Sequence, residues 1–265
     1  MVLSVSKYFT LAFVDFREKF YYFGAQLFHA FFICVIIFIF FNIWKAIYAQ
    51  KAVIEGFTFA QMLWYVAVAE VIVFCSDLRW IETVSDEIKT GVIGITLLKP
   101  MSYVLSRFAL FLGNFFYKFI VVGVVAFFLA LILAGPIDAS ILSIVLSFFS
   151  IILGVMLNFV IVVSLGFLAF WLEETSAIFW IYQKSIFILG GMLLPLDIYP
   201  DWIKGWIINL PFAYMVYKPA KLMIQFNFND FLITLAWQFG WLILFTVVLY
   251  FVYTVGIKRV QINGG

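Results

Sequence analysis

The residues of this 265-residue chain that could do chemistry fall into two groups. The first is the charge cluster in IETVSDEIKTG, residues 81–91, which holds Glu82, Asp86, Glu87 and Lys89. The second is scattered, with His29, Glu70 and Lys118 each inside a long apolar run. A lone carboxylate or ammonium in hydrocarbon is costly, so such groups face a protein interior or water and take partners. Glu70 and Lys118 are candidates for a mutual ion pair, and His29 for a bond to Glu70 or a structural hydrogen bond. A histidine and a membrane carboxylate can also carry protons, but one of each forms no specific relay. Paired acids, an activated serine and a metal-ligand cluster are all missing from the sequence, which argues against hydrolytic or metal chemistry. The sequence also lacks GxxxxGK[ST], HExxH and any glycine-rich strand-helix fingerprint, so ATP hydrolysis is not expected on this chain.

Composition says what surrounds these residues. The chain is 66% hydrophobic with a mean hydropathy of +1.16, and only 11% of it is charged. Too few polar side chains are available to coat a soluble exterior, so lipid must cover much of the surface. A net charge of +2 without basic runs excludes nucleic-acid binding as a reading. Cys34 and Cys75 both lie in apolar runs, where packing rather than a disulfide is expected.

The expected fold is an all-α polytopic membrane protein, a single transmembrane domain over residues 1–265. Six spans of about 20 apolar residues are read at residues 24–44, 57–76, 104–134, 141–171, 177–194 and 231–257. The first run is too long for a signal-peptide core and no cleavage site follows it, so it is expected to remain as a span. Phe9, Phe13, Phe16 and Phe20 recur at helical spacing, which predicts an amphipathic helix over residues 1–22 lying at the membrane surface. Prolines at 195, 200, 211 and 219 break the segment before the last span, predicting short reentrant or interfacial helices. A kinked seventh span through residues 202–217 is the alternative. Trp202, Trp206, Phe212 and Tyr214 are expected to anchor this segment at the outer interface. With six spans, nine Lys and Arg fall on the face that holds both termini and five on the other, which places both ends in the cytoplasm.

IETVSDEIKTG then faces the cytoplasm. Trp80, Val84, Ile88, Val92 and Ile95 recur at near-helical spacing while Glu82, Ser85, Asp86 and Lys89 take more polar positions. The pattern predicts a short amphipathic helix, weakened by Gly91 and Gly94 and stopped by Pro100. Two uses stay open, an interfacial connector whose charges meet water or a docking element for a cytoplasmic protein.

Residues 82–100, ETVSDEIKTGVIGITLLKP, resemble the stretch that follows the second span in bacterial permeases of the ABC-2 superfamily. Residues 190–219, GGMLLPLDIYPDWIKGWIINLPFAYMVYKP, are similar to the outer segment of the same six-span family. The resemblance implies a permease subunit of an ATP-driven exporter, located in the bacterial plasma membrane. It implies as partners two cytoplasmic ATP-binding-cassette subunits and a second identical or related permease subunit. ATP and Mg would be bound by those ATPase subunits, with no cofactor on this chain. It makes Glu82, Asp86, Glu87 and Lys89 the ATPase-docking candidates, with Gly91 and Pro100 shaping the return to the membrane. A proton-coupled transporter and a non-transporting membrane anchor are the competing functions.

Overall fold

The computed structural model describes residues 2–260 apart from 22 and 138. Over these residues the protein is an all-α membrane bundle with one small hairpin. Helices α1 (Val2–Tyr21) and α2 (Phe23–Tyr48) lead into strands β1 (Val53–Ile54) and β2 (Phe57–Thr58), which pair antiparallel. Glu55 and Gly56 turn the hairpin with positive φ. Helix α3 (Phe59–Cys75) starts on a capping box: Thr58 Oγ1 accepts from the Gln61 N–H, and Gln61 Oε1 accepts from the Thr58 N–H. Helices α4 (Trp80–Lys89) and α5 (Val92–Leu97) follow, and then α6 (Tyr103–Ala134), which Gly135 ends at φ +79°.

Ser140 caps α7 (Ile141–Gly166), which tightens into a 3-10 turn at Phe167–Phe170. Next come α8 (Ser176–Leu189) and three short helices, α9 (Asp201–Ile207), α10 (Pro211–Met215) and α11 (Tyr217–Ile224). The segment expected to break at its prolines does so, and it forms no kinked seventh span. Asn227 caps the last helix, α12 (Phe228–Ile257), through the N–H groups of Asn229 and Asp230.

Among the described residues, five helical segments are long and apolar enough to cross a bilayer: most of α2, α3 running on through α4 (Phe59–Lys89), α6, α7 with its 3-10 turn, and α12. The fifth of the six expected spans differs. Helix α8 is 14 residues, a rise of about 21 Å, and stops at Gly190 rather than running on to 194. Gly191 then turns at φ +73°, and a Cβ on it would lie 3.0 Å from the Tyr65 hydroxyl and 3.1 Å from Tyr217 Cβ. Only glycine fits both the turn and the space.

Helices α3 and α7 lie at the centre, while α2, α6 and α12 turn large apolar faces outward. Lipid is as apolar as these side chains, so close packing and interhelical hydrogen bonds, rather than release of water, hold the bundle. Glycines permit the closest approaches. The backbone of α10 rests on Gly154 of α7, where a Cβ would come within 2.8 Å of the Met215 carbonyl. The Phe170 ring covers Gly256 of α12. Gln238 of α12 donates to the Ser150 carbonyl of α7 at 2.9 Å and to the Tyr214 carbonyl of α10 at 2.8 Å.

The amphipathic N-terminal helix has a packing partner within the bundle. It packs along α6, where a Cβ at Gly113 would meet the Ala12 carbonyl at 2.5 Å. In the expected phenylalanine stripe Phe16 and Phe20 contact Tyr117 of α6, while Phe9, Phe13 and part of Phe20 are exposed.

Candidate functional site

The charged cluster lies on α4, and its environment begins one turn earlier. Helix α3 ends at Ser76, and Asp77 reverses the chain at φ +41°, a left-handed conformation that few non-glycine residues adopt. The Asp77 carboxylate accepts from Asn114 at 2.7 Å and from Lys118 at 3.0 Å, both on α6. Next to it, the Ser76 carbonyl accepts from Asn158 of α7 at 2.9 Å. The Asn158 side-chain oxygen in turn accepts from the Tyr182 hydroxyl of α8 at 2.8 Å. Two consecutive residues thus tie the end of α3 to α6, α7 and α8.

Helix α4 leaves this elbow with one face buried. Trp80 packs on Phe111 and Phe159, and Ile81 and Val84 pack against α7. Gly166 makes the contact possible, since a Cβ there would sit 2.8 Å from Val84 Cβ. Ser85 and Thr175 share a buried hydroxyl pair at 2.7 Å, which fixes α4 to the start of α8. The opposite face carries exposed Asp86, Lys89 and Thr90 and half-buried Glu82. Glu82 in the first turn and Lys89 in the last both oppose the helix dipole.

Glu87, expected among the docking residues, faces a different way from the other charges of α4. Its carboxylate is turned inward, 2.9 Å from Arg107, and accepts a hydrogen bond from the Tyr103 hydroxyl. Both partners stand at the start of α6, so Glu87 ties α4 to that helix.

Beyond α4, Gly91 turns at φ +76° into α5, so a residue type free of Cβ strain stands where the chain needs it. Val92, Ile95 and Leu98 are exposed, Leu98 at 80%. A cleft of about 530 Å³ opens between this segment, Phe170 and the end of the chain, with Lys89 and Arg259 in its wall. Pro100 stands where the chain returns to α6, and its carbonyl accepts from Lys7. The Ser102 N–H donates to the Tyr8 hydroxyl at 2.9 Å. The elbow, α4, the beginning of α1 and the last described residues therefore gather at one end of the bundle.

This arrangement is a polar helix seated on the end of a bundle of apolar spans and locked to several of them. The family model for an ABC-2 family transporter protein matches residues 31–264. The chain belongs to the ABC-2 transporter family. No curated protein matches it. ABC-2 permeases are membrane subunits that normally lack an ATPase of their own and work with ATP-binding-cassette subunits, so this chain is a multi-pass membrane protein of transport. The matched region contains the elbow and α4, and α1 precedes it.

Of the three intramembrane polar residues of this ABC-2 chain, Glu70 and Lys118 do not pair with each other. Lys118 pairs with Asp77 rather than with Glu70. Glu70 is 4% exposed, and its Oε1 has no hydrogen-bond partner among the described residues. The His29 ring lies edge-on to Phe74 at 5.2 Å. Lys118 also stands 5.7 Å from the Phe74 ring, so His29 and Lys118 contact the same ring.

The expected outer anchors divide too. Trp202 and Trp206 are 75% and 74% exposed on α9, as an interfacial belt requires. Tyr214, at 3% exposure, is instead stacked on Trp237 of α12, and Phe212 packs on Tyr182 of α8. A proline-led helix turned both rings toward the bundle. The residues that sequence reasoning passed over are Asp77, Tyr103, Arg107, Asn114 and Tyr182. The available signal was polarity at span ends: Asp77 immediately follows an apolar run, and Asn114 and Lys118 are one helical turn apart on α6.

Proposed function

We propose that this chain is the membrane-spanning subunit of an ATP-driven exporter in the bacterial plasma membrane, with both termini in the cytoplasm. It would work as a pair of identical or related permeases on two cytoplasmic ATPase subunits, which bind the ATP and Mg. The cargo is amphiphilic or polymeric. The observation that carries this reading is the seating of α4: polar and exposed on one face, immobilised on the other by Gly166, Ser85 and the Asp77 elbow.

An element so fixed cannot be displaced alone. A partner that binds α4 and closes on ATP must move the ends of α3, α6, α7 and α8 with it. Coupling then requires that the partner contact α4 differently in two states of the bundle. Glu82, Asp86 and Lys89 are the docking groups, with exposed Ile95 and Leu98 supplying apolar contact beside them. Glu87 acts through Arg107, as a positioning residue.

Purification of the assembly with its neighbouring ATPase, followed by transport in proteoliposomes, tests this. Glu82→Lys with Asp86→Lys should leave the permease folded, release the ATPase and abolish ATP-dependent transport. Transport driven by a proton gradient alone, lost in Glu70→Gln, would replace this reading with a proton-coupled carrier. Stable assembly with no movement of any cargo would leave an anchor.

A further inference from the structure

Glu70 is a buried titratable group that the seating of α4 leaves without a role. It stands within α3, one turn before Phe74. A helix brings residues four, seven and eleven positions apart to one side, so Phe59, Leu63, Val66, Glu70 and Phe74 form a single stripe. Helix α2 runs antiparallel along that stripe: Phe41 contacts Phe59 at 5.8 Å, and His29 contacts Phe74 at 5.2 Å. Over residues 30–41, between those two contacts, α2 reads AFFICVIIFIFF, which offers no side-chain donor stronger than the Cys34 thiol.

We infer that Glu70 is a proton-binding site of the bundle, occupied at neutral pH, so that the residue stands in the membrane as a neutral carboxylic acid. The geometry carries this. The side chain is buried, and neither carboxyl oxygen has a hydrogen-bond or ion-pair partner among the described residues. An ion in such a place has lost its water and gained no counter-charge, so it takes up a proton instead. The elements packed on α3 do not supply the missing charge. From α6, Lys118 gives its ammonium to Asp77. From α11, Lys221 and Tyr217 bond Asp197, and Lys218 lies over the Tyr217 ring. From α2, His29 lies against Phe74, and Cys34 carries no positive charge in either of its forms. Strand β2 and helix α7 carry no ionisable side chain.

The proton gives this carboxyl a reactivity that an ionised one lacks. With an apolar carbodiimide, the O–H proton passes to one carbodiimide nitrogen while the carboxyl oxygen bonds the central carbon. Migration of the acyl group to nitrogen then leaves a stable N-acylurea that keeps every atom of both reactants. Glutamine copies the shape and neutrality of the acid, so Glu70→Gln should fit the same space without the exchangeable proton. Glu70→Met is a second neutral side chain of similar volume.

The inference goes beyond ATP-driven export, and its test uses the full-length permease in lipid with no ATPase. Infrared spectra are recorded on protein reconstituted in phosphatidylcholine vesicles, with and without carbon-13 in the glutamate side-chain carboxyls. The carbonyl band of a protonated carboxyl should be present at neutral pH, move with the glutamate label, and be missing from both Glu70→Gln and Glu70→Met. The label separates Glu70 from any aspartic acid. An ordinary carboxyl is protonated in fewer than about one molecule in a hundred at neutral pH, so dicyclohexylcarbodiimide should modify Glu70 at least about tenfold more than the water-exposed carboxyls, as mapped by mass spectrometry. Either variant with the fold and melting temperature of the unaltered protein suffices for the comparison. A glutamate band that appears only in acid, a band that survives the substitutions, or modification of Glu70 no greater than that of the exposed carboxyls overturns the inference.

Discussion

Asp77 concentrates more of the architecture than any charge in the expected docking cluster. A residue in the left-handed region costs of order 1 kcal/mol or more and persists where its surroundings hold it. Here Asn114 and Lys118 hold it, and the ion pair is mostly shielded from water. Removing one member of such a pair leaves the other charge uncompensated, at about 3–5 kcal/mol. Asp77→Asn and Lys118→Met should therefore each lower the melting temperature in detergent markedly, and the double substitution should recover part of the loss. Equal additive losses would show that the two side chains do not depend on each other. Asp15 presents the opposite case. Its Oδ2 is buried against Gly113 without a hydrogen-bond partner among the described residues, and burial raises its carboxyl above the ordinary range despite Lys19 at 3.6 Å. At low pH both folded and unfolded chains are protonated and the penalty is absent. As pH rises past the unfolded value, the unfolded chain ionises more readily and stability falls, with the full penalty present above the folded value. Asp15→Asn should thus raise stability at neutral pH by about 1 kcal/mol, with the gain vanishing in acid. A gain that persists unchanged at low pH would refute this account.

Among elements, α4 is the one whose outline was legible and whose attachments were not. The recurrence of Trp80, Val84 and Ile88 is a property of neighbouring residues, and a helix of 10 residues formed there with its apolar side buried. Which charges remain outside depends on partners that no local period contains. Glu87 faces inward because Arg107 lies on α6, and the chain reaches Arg107 only after Gly91, α5 and Pro100. The same limit explains Lys118: span order brings it near Glu70, while helix register gives it to Asp77. The expected span 177–194 exceeds α8 because the apolar run continues through Gly190 and Gly191, and hydropathy carries no information about a turn at positive φ. Tyr214 was placed at the surface because aromatic residues near prolines resemble an interfacial belt until packing against Trp237 is known. The contact between α4 and α7 supplies the element-scale prediction. Gly166→Leu would force Val84 away from a gap with no room for a Cβ, moving α4 off its seat. Overpacking of this kind costs roughly 1–3 kcal/mol, so the protein should still fold. With the partner ATPase bound, ATP hydrolysis should continue while transport per ATP falls severalfold. Unchanged transport would mean that α4 moves independently of α7.

For the molecule as a whole, charge distribution predicts cytoplasmic termini, and the fold sets the beginning and end of the described chain beside α4. Lys7 bonds Pro100, Tyr8 bonds Ser102, and Arg259 shares a cleft with Lys89, so the beginning and end of the described chain stand together with α4. The other end of the bundle holds the hairpin, to which Gln225 bonds through the Gly56 carbonyl, and the Lys204, Lys221 and Asp197 cluster. Helix α8 starts beside α4 through Thr175, and the chain just past its end reaches Tyr65 through the Gly191 carbonyl. A short helix therefore carries the chain from the α4 end toward the hairpin end where the fifth of the six expected spans was read, and residues 191–227 remain at the hairpin end. Single cysteines in a background lacking Cys34 and Cys75 test this with a maleimide that cannot cross membranes. Lys51→Cys and Trp202→Cys should react in intact cells, and Lys89→Cys and Arg259→Cys only in inverted vesicles. The difference should be close to all-or-none, because each of these four positions is exposed and the reagent reaches one side. If Trp202→Cys reacts from the same side as Lys89→Cys, α8 does not carry the chain across. If all four patterns invert, the chain has six crossings but the opposite orientation, and α4 would face away from any source of ATP.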